Sequence, residues 1–309
     1  MPLDPQLSVI INELKALGGV PPWQTTIAEA RASHLARQFW SGAPQPVASV
    51  VDFAVLGVGG DIPVRLYSHA ASGPEPVLVW FHGGGWVLGS IAAQDSVCRL
   101  LALRSGCAVL AVDYRLAPEH PFPAGVEDAC TVLQWTQVNG AERGLDASRI
   151  AVGGDSAGAT LATVAARKSI KSGAAAVQLQ TLVYPVTDAT MSLESHRECG
   201  EGYVLTAEHM RWFLGQYIPE GINLRHPDLS PLYAESLAGM PPALILTAEY
   251  DPLRDEGEAY AERLREAGVA VSVERVPGVV HSFFSMTGRL PAADRAVSMV
   301  AEAVKIALA

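Results

Sequence analysis

The stretch RIAVGGDSAGATLATVAAR, residues 149–167, decides how this chain is read. It opens on a short apolar run, Ile150–Gly153, of strand length. It closes on small and apolar residues from Ala157 onward with helical spacing. The join is Gly154-Asp155-Ser156-Ala157-Gly158, a G-x-S-x-G turn between strand and helix. A serine at the apex of such a turn is strained and needs small neighbours. Gly154, Ala157 and Gly158 meet that need. Ser156 would then project at the strand's carboxyl end and at a helix N-terminus, whose dipole favours developing negative charge. Taken alone, the pentapeptide also reads as a glycine-rich turn without chemistry, so the surrounding chain must decide.

Outward from this turn the chain alternates strand and helix. Strands are predicted at Val47–Gly57, Ile62–His69, Val77–Phe81, Ala108–Asp113, Ile150–Gly153, Leu179–Tyr184, Ala243–Ala248 and Val271–Val276. From the third onward most are almost continuously apolar, as a parallel sheet covered on both faces requires. The first two alternate and are joined by Gly57-Val58-Gly59-Gly60-Asp61, which predicts an antiparallel hairpin at one edge. Helical spacing falls at Ala92–Ser105, Gly125–Val138, Ala157–Lys171, Arg254–Ala267 and Ala292–Leu308. The fold class is α/β, a mostly parallel eight-stranded sheet flanked by helices. Residues 46–187 and 229–309 form its core. Residues 1–45 carry two helix-like runs before any strand, and residues 188–228 carry one at Thr206–Tyr217. Long excursions of this kind are usually functional, and both read as parts of a helical cap.

A second motif, Phe81-His82-Gly83-Gly84-Gly85-Trp86, directly follows a strand. A His-Gly-Gly-Gly loop in that place is the type that builds an oxyanion hole in lipases and esterases. Its backbone N–H groups stabilise the charge that acyl transfer places on the carbonyl oxygen. The donors are assigned as the N–H groups of Gly83, Gly84 and Ala157. His82 reads as a structural residue of the loop. Trp86 is a candidate for substrate contact or for packing.

A serine nucleophile needs a base and an orienting acid, which in this strand order follow the serine as acid, then His. Asp251 stands just past the strand ALILTA, and His281 just past VSVERV. Both would share the sheet edge of Ser156. Glu249 and Asp255 are rival acids, the first still in the strand and the second opening a helix. The other histidines read as surface or cap residues (His34, His69, His196, His209, His226) or as part of a rigid turn (His120).

Composition narrows the classes further. The chain has 309 residues, 49% hydrophobic and 17% charged, enough for a sizeable core. Its formal net charge of -10 opposes nucleic-acid binding, which depends on Lys and Arg meeting phosphates. No apolar run approaches bilayer length and no signal-peptide pattern opens the chain, so a soluble, cytoplasmic protein is expected. Cys98, Cys107, Cys130 and Cys199 lack zinc spacing and read as small buried hydrophobes; a Cys98–Cys130 or Cys107–Cys199 disulfide stays open.

The assembled motifs resemble the hormone-sensitive-lipase-like esterases, bacterial family IV of the α/β-hydrolase superfamily. The matching pieces are HGGGW at 82–86, DYRLAPEHPFPA at 113–124, GDSAG at 154–158, Tyr184-Pro185, EYDPLRDE at 249–256 and HSFF at 281–284. The likeness runs from about Val47 to the C-terminus. It implies Ser156, Asp251 and His281 as the triad, no metal and no organic cofactor. It also implies that Glu119 and His120 support the site structurally, and that a homodimer forms through the strand Val271–Val276. One departure is Ser282, where many members have glycine after the histidine. The expected function is a serine carboxylesterase for short- to medium-chain esters. A related deacetylase, lactonase or amidase shares the same chemistry, and a ligand-binding protein on a dead hydrolase scaffold is the alternative from another class.

Overall fold

A computed structural model describes residues 2–309 except 17, 19, 71, 72, 174 and 175. Eight strands form one sheet: β1 (Ser49–Gly57), β2 (Gly60–Ser68), β3 (Glu75–Phe81), β4 (Ala108–Val112), β5 (Leu145–Asp155), β6 (Leu179–Val183), β7 (Ala243–Tyr250) and β8 (Val271–Val280). Their spatial order is β1-β2-β4-β3-β5-β6-β7-β8. β1 and β2 pair antiparallel, as do β2 and β4, while every pairing from β4 to β8 is parallel. The predicted hairpin edge on a parallel sheet is therefore present.

Continuous apolarity has a simple cause in the pleat. Val77, Val79 and Phe81 of β3 enter one core, and Leu78 and Trp80 enter the other, all fully buried. The first core is covered by α4 (Ala124–Asn139), α5 (Ala157–Ser172) and α8 (Arg254–Glu266) through residues such as Val132, Leu161 and Leu264. The second is covered by α3 (Ile91–Ser105) and α9 (Pro291–Ala307). In α9, Ala293, Val297, Val300 and Val304 make the buried stripe at helical spacing. Each large apolar side chain buried this way contributes about 1.5–3 kcal/mol.

The loops that leave the carboxyl ends of β3, β5, β7 and β8 carry His82–Trp86, Ser156, Asp251 and His281 respectively. In an open parallel sheet this is the edge where ligands bind. Two groups of helices lie outside the layers. The N-terminal segment forms α1 (Pro5–Ala16) and α2 (Ile27–Ala36); the excursion after β6 forms α6 (Ser195–Glu198) and α7 (Ala207–Tyr217). α1 buries Leu7, Ile10 and Ile11 in the second core. α2 begins at a capping box in which Thr26 and Glu29 bond each other's backbone N–H. Trp23, just before α2, meets His209 of α7 edge-on at 5.0 Å, joining the two segments.

Arg31 of α2 ties this layer to the core. Its guanidinium donates to the carbonyl oxygens of Val87 (2.9 Å) and Ala117 (3.0 Å) and forms a two-pronged pair with Glu119. Glu119 is 53% exposed, so the ion pair itself is worth about 0–1 kcal/mol. The carbonyls are less exposed and lose more when left unpaired. Arg31→Ala should lower stability by about 1–3 kcal/mol, and Glu119→Gln by no more than about 1 kcal/mol, in urea unfolding. Equal losses would show that the carbonyl contacts are not what holds α2.

Candidate active site

Ser156 forms the turn between β5 and α5 at φ 55° and ψ −121°, a region that non-glycine residues rarely occupy. The turn fits because its glycines sit against β3: a Cβ on Gly158 would collide with the Phe81 carbonyl, and one on Gly154 would meet it at 2.5 Å. Ser156 N–H donates to Val183 O of β6 at 2.8 Å, which anchors the bend to the sheet.

His281 Nε2 lies 3.0 Å from Ser156 Oγ, and His281 Nδ1 lies 2.7 Å from Asp251 Oδ2. All three groups are buried, and Asp251 is wholly excluded from solvent. The Asp251 carboxylate accepts from Nδ1–H, so Nε2 is left to accept the Ser156 hydroxyl proton. Asp251 Oδ1 also accepts the Leu253 N–H at 2.9 Å, which fixes the carboxylate plane. The Tyr184 ring packs on the imidazole at 4.4 Å. The rival acids lie elsewhere. Glu249, inside β7, accepts from Gly278 N–H, and Asp255, inside α8, accepts from Arg254 and from Ser195 N–H.

His82 does not reach the serine. Its Nδ1 is 2.8 Å from the Gly83 carbonyl and its ring stacks on Tyr114 at 4.5 Å. Tyr114 OH donates to the His82 carbonyl at 2.7 Å. Burial pushes the His82 imidazole pKa down, which keeps it neutral inside this packing. The rigid turn expected at 113–124 is held by Arg115, whose guanidinium grips the buried Asp128.

One oxyanion assignment needs correction. The Gly83 N–H donates to Asp155 Oδ1 at 2.8 Å and is therefore committed. Gly84 (φ 123°) and Gly85 (φ 61°) stand on the cavity wall, and their N–H groups have no hydrogen-bond partner among the described residues. The N–H of Ala157, at the start of α5, is likewise unpartnered. The available donors are thus Gly84, Gly85 and Ala157.

Trp86 also differs from the substrate-contact reading. It is 1% exposed, stacks on Tyr217 of α7 at 4.4 Å and 5°, and is absent from the cavity wall. Its positive φ of 59° turns it away from the glycines and under α7.

The cavity above Ser156 measures about 410 Å³. Its floor is Gly83–Gly85, Asp155, Ser156 and His281; its walls come from the N-terminal segment between Val20 and Ser41 and from Val204–Phe213. Ser282 lines it as well, in the left-handed region at φ 68°, a conformation glycine adopts more readily. His34 and His209 line the cavity too, whereas His196 is buried against Glu256 at 2.7 Å. All four cysteines are unpaired. Among the described residues no cluster of His, Cys, Asp or Glu has the arrangement of a metal site, and no helix is long and apolar enough to cross a membrane.

Asp155 is the residue the motif reading missed. It was visible only as the variable position of G-x-S-x-G, yet it holds the glycine loop through Gly83 and also accepts from Gln94 Nε2 at 3.1 Å. Burial pushes its carboxyl up to about 6, against the lowering effect of the Gly83 hydrogen bond.

A nucleophile on a strand-to-helix turn, followed in the chain by its acid and its base on one sheet edge, is the arrangement of an α/β hydrolase. The model of the family described as alpha/beta hydrolase fold matches residues 78–285. Carboxylic ester hydrolase LipN of Mycobacterium tuberculosis is 39% identical over 292 residues, 92% of this chain and 77% of that one. Ethyl acetate hydrolase of Pseudomonas putida is 41% identical over 251 residues, 80% and 79% of the two chains. The hyperthermophilic esterase of Pyrobaculum calidifontis superposes with a TM-score of 0.95 at 40% identity, covering 100% of both chains. The chain belongs to the α/β-hydrolase fold family, in its hormone-sensitive-lipase-like branch.

The raised Asp155 pKa sets a stability test. A carboxyl raised in the folded state favours folding when protonated, and that advantage is lost as pH rises from its ordinary 3.8 through about 6. The swing is on the order of 3 kcal/mol, at about 1.4 kcal/mol per pKa unit. Asp155→Asn cannot ionise, so its stability relative to wild type should improve by that order between about pH 4 and about pH 7. Denaturant curves that shift in parallel across this range would contradict the burial of a titrating Asp155.

Proposed function

We propose that this chain hydrolyses short- to medium-chain carboxylic esters through an acyl-enzyme on Ser156. The observation that carries the reading is the unbroken hydrogen-bonded path from Asp251 through His281 to Ser156 Oγ, at 2.7 and 3.0 Å. Relatives named as ester hydrolases along most of the chain support the same substrate class.

The steps follow from these groups. Ser156 Oγ attacks the ester carbonyl while His281 Nε2 takes its proton. The oxyanion accepts hydrogen bonds from Gly84, Gly85 and Ala157, each such donor being worth about 3–4 kcal/mol of transition-state stabilisation. The intermediate collapses, and His281 returns the proton to the alkoxide, which leaves as alcohol. Water then attacks the acyl-enzyme with His281 again as base, releasing the acid and restoring Ser156. Asp251 holds the imidazole tautomer and stabilises the imidazolium. No step calls for a metal or an organic cofactor.

The segments 20–41 and 188–228 act as a cap that sizes the ester. Their contributions to the cavity wall and the Trp23–His209 contact support this. The four free thiols fit a cytoplasmic setting, where disulfides are rare. β8 is an edge strand of the sheet, which suits pairing with a second copy as a homodimer.

The test is hydrolysis of p-nitrophenyl esters across acyl lengths. Wild type should turn over short chains and lose rate as the chain outgrows the cavity. Ser156→Ala should lower kcat by about 10⁶-fold while remaining folded. Asp251→Asn should lower it by about 10⁴-fold through the wrong imidazole tautomer. Substantial turnover by pure Ser156→Ala would remove the nucleophile assignment. A folded wild type with no turnover of any ester would point to a binding protein.

A further inference from the structure

One cation stands on the cavity wall without a counter-charge. Arg37 follows α2 and is the only Lys or Arg among the described residues that line the cavity of Ser156. It forms no ion pair and no side-chain hydrogen bond with the described residues, and it is solvent-exposed. The neighbouring arginine of α2 behaves differently, since Arg31 is fully engaged by Glu119 and two carbonyls.

Nothing among the described residues of the wall neutralises it. The wall carries two carboxylates, Glu29 and Asp155. Glu29 is taken up by the Thr26 N–H and hydroxyl, at 2.9 and 2.8 Å. Asp155 is held below the serine by Gly83 and Gln94. The closest titratable company is His34 and His209, both on the wall. Burial, reinforced by the charge of Arg37, pushes each imidazole down to about 4, so both are neutral at neutral pH. Thr206 fixes one nitrogen of His209 at 2.7 Å. Arg37 is thus a guanidinium beside two neutral imidazoles, in a protein of net charge -10. A guanidinium presents a planar fork of donors that matches a carboxylate.

We infer that Arg37 is a specificity residue that receives an anionic group, a carboxylate, on the ester substrate, so that the cavity favours half-esters of dicarboxylic acids over neutral esters of equal size. This rests on the esterase reading above for the position of the scissile bond. The negative net charge repels such substrates at long range; Arg37 supplies the local attraction that offsets it.

The test compares monoethyl succinate with ethyl butyrate, similar in size and different in charge, by pH-stat at neutral pH. The ratio of kcat/KM for the anionic over the neutral ester should fall at least about tenfold in Arg37→Gln, the loss of a charge-assisted hydrogen bond, and fall much less in Arg37→Lys. A ratio unchanged within about twofold in Arg37→Gln would overturn the inference, since an arginine that only solvates the rim would leave it so. If wild type turns over neither ester, the esterase reading is what fails. Calorimetric binding of monoethyl succinate to Ser156→Ala then decides separately, because it needs no turnover. Binding weakened about tenfold by adding Arg37→Gln supports the inference. Equal binding in the two proteins, or none in Ser156→Ala, rejects it.

Discussion

The bend at Ser156 is the constraint around which the site is arranged. A non-glycine residue at φ 55° and ψ −121° costs about 1–3 kcal/mol and persists only where its surroundings leave no alternative. Here the surroundings are specific. Phe81 of β3 presses on Gly154 and Gly158, leaving no volume for side chains there. Val183 of β6 accepts the Ser156 N–H, and Thr160 Oγ1 donates to the Val186 carbonyl at 2.6 Å. The strands on either side of β5 thus hold the turn, and the turn in return lifts Oγ to within reach of His281. The same residue run also carries Asp155, whose carboxylate takes the Gly83 N–H. Nucleophile and oxyanion loop are therefore set against each other by one hydrogen bond between adjacent residues of the two motifs' loops.

Most of the fold was legible because its physics is local. Strands covered on both faces are largely apolar: β4 is so at every position, β3 from Val77 to Phe81, and β6 except for Gln180 and Thr181, of which Gln180 is hydrogen-bonded to Thr163 and the Pro241 carbonyl. The hairpin before them alternates because one of its faces meets solvent. Element ends were less legible. β8 continues through Pro277 and Gly278 to Val280, past the predicted end at Val276. A proline ordinarily argues against a strand, but β8 is an edge strand and the pairing to β7 slips between Ala248 and Tyr250, so the ladder accommodates it. Asp251 and His281 were legible by chain order, since each falls in the segment after a predicted strand, although the strands themselves run on to Tyr250 and Val280, one residue short of each.

The glycine loop marks where local reading stops. Three consecutive glycines announce a close approach of backbone to ligand, but their spacing does not say which N–H is free. That is decided by Asp155, 72 residues away in sequence. Trp86 is similar: an aromatic beside the loop is able to face either the cavity or the helix above. Its backbone conformation and the Tyr217 ring choose the helix. The cap residues were the least legible, because residues 20–41 and 204–213 meet only in the folded chain. Arg37 shows no motif at all and becomes conspicuous only when its neighbours prove to be neutral or already engaged.

The central claim is that Ser156 is the nucleophile and that its oxyanion rests on Gly84, Gly85 and Ala157 while Gly83 stays bound to Asp155. The most direct measurement is a crystal structure of the protein after inactivation by an alkyl p-nitrophenyl phosphonate, a covalent mimic of the tetrahedral intermediate. Phosphorus should be bonded to Ser156 Oγ, with its outward oxygen about 2.7–3.1 Å from those three N–H groups. Phosphorus on another residue, or an oxygen held by the Gly83 N–H with Asp155 displaced, would contradict it.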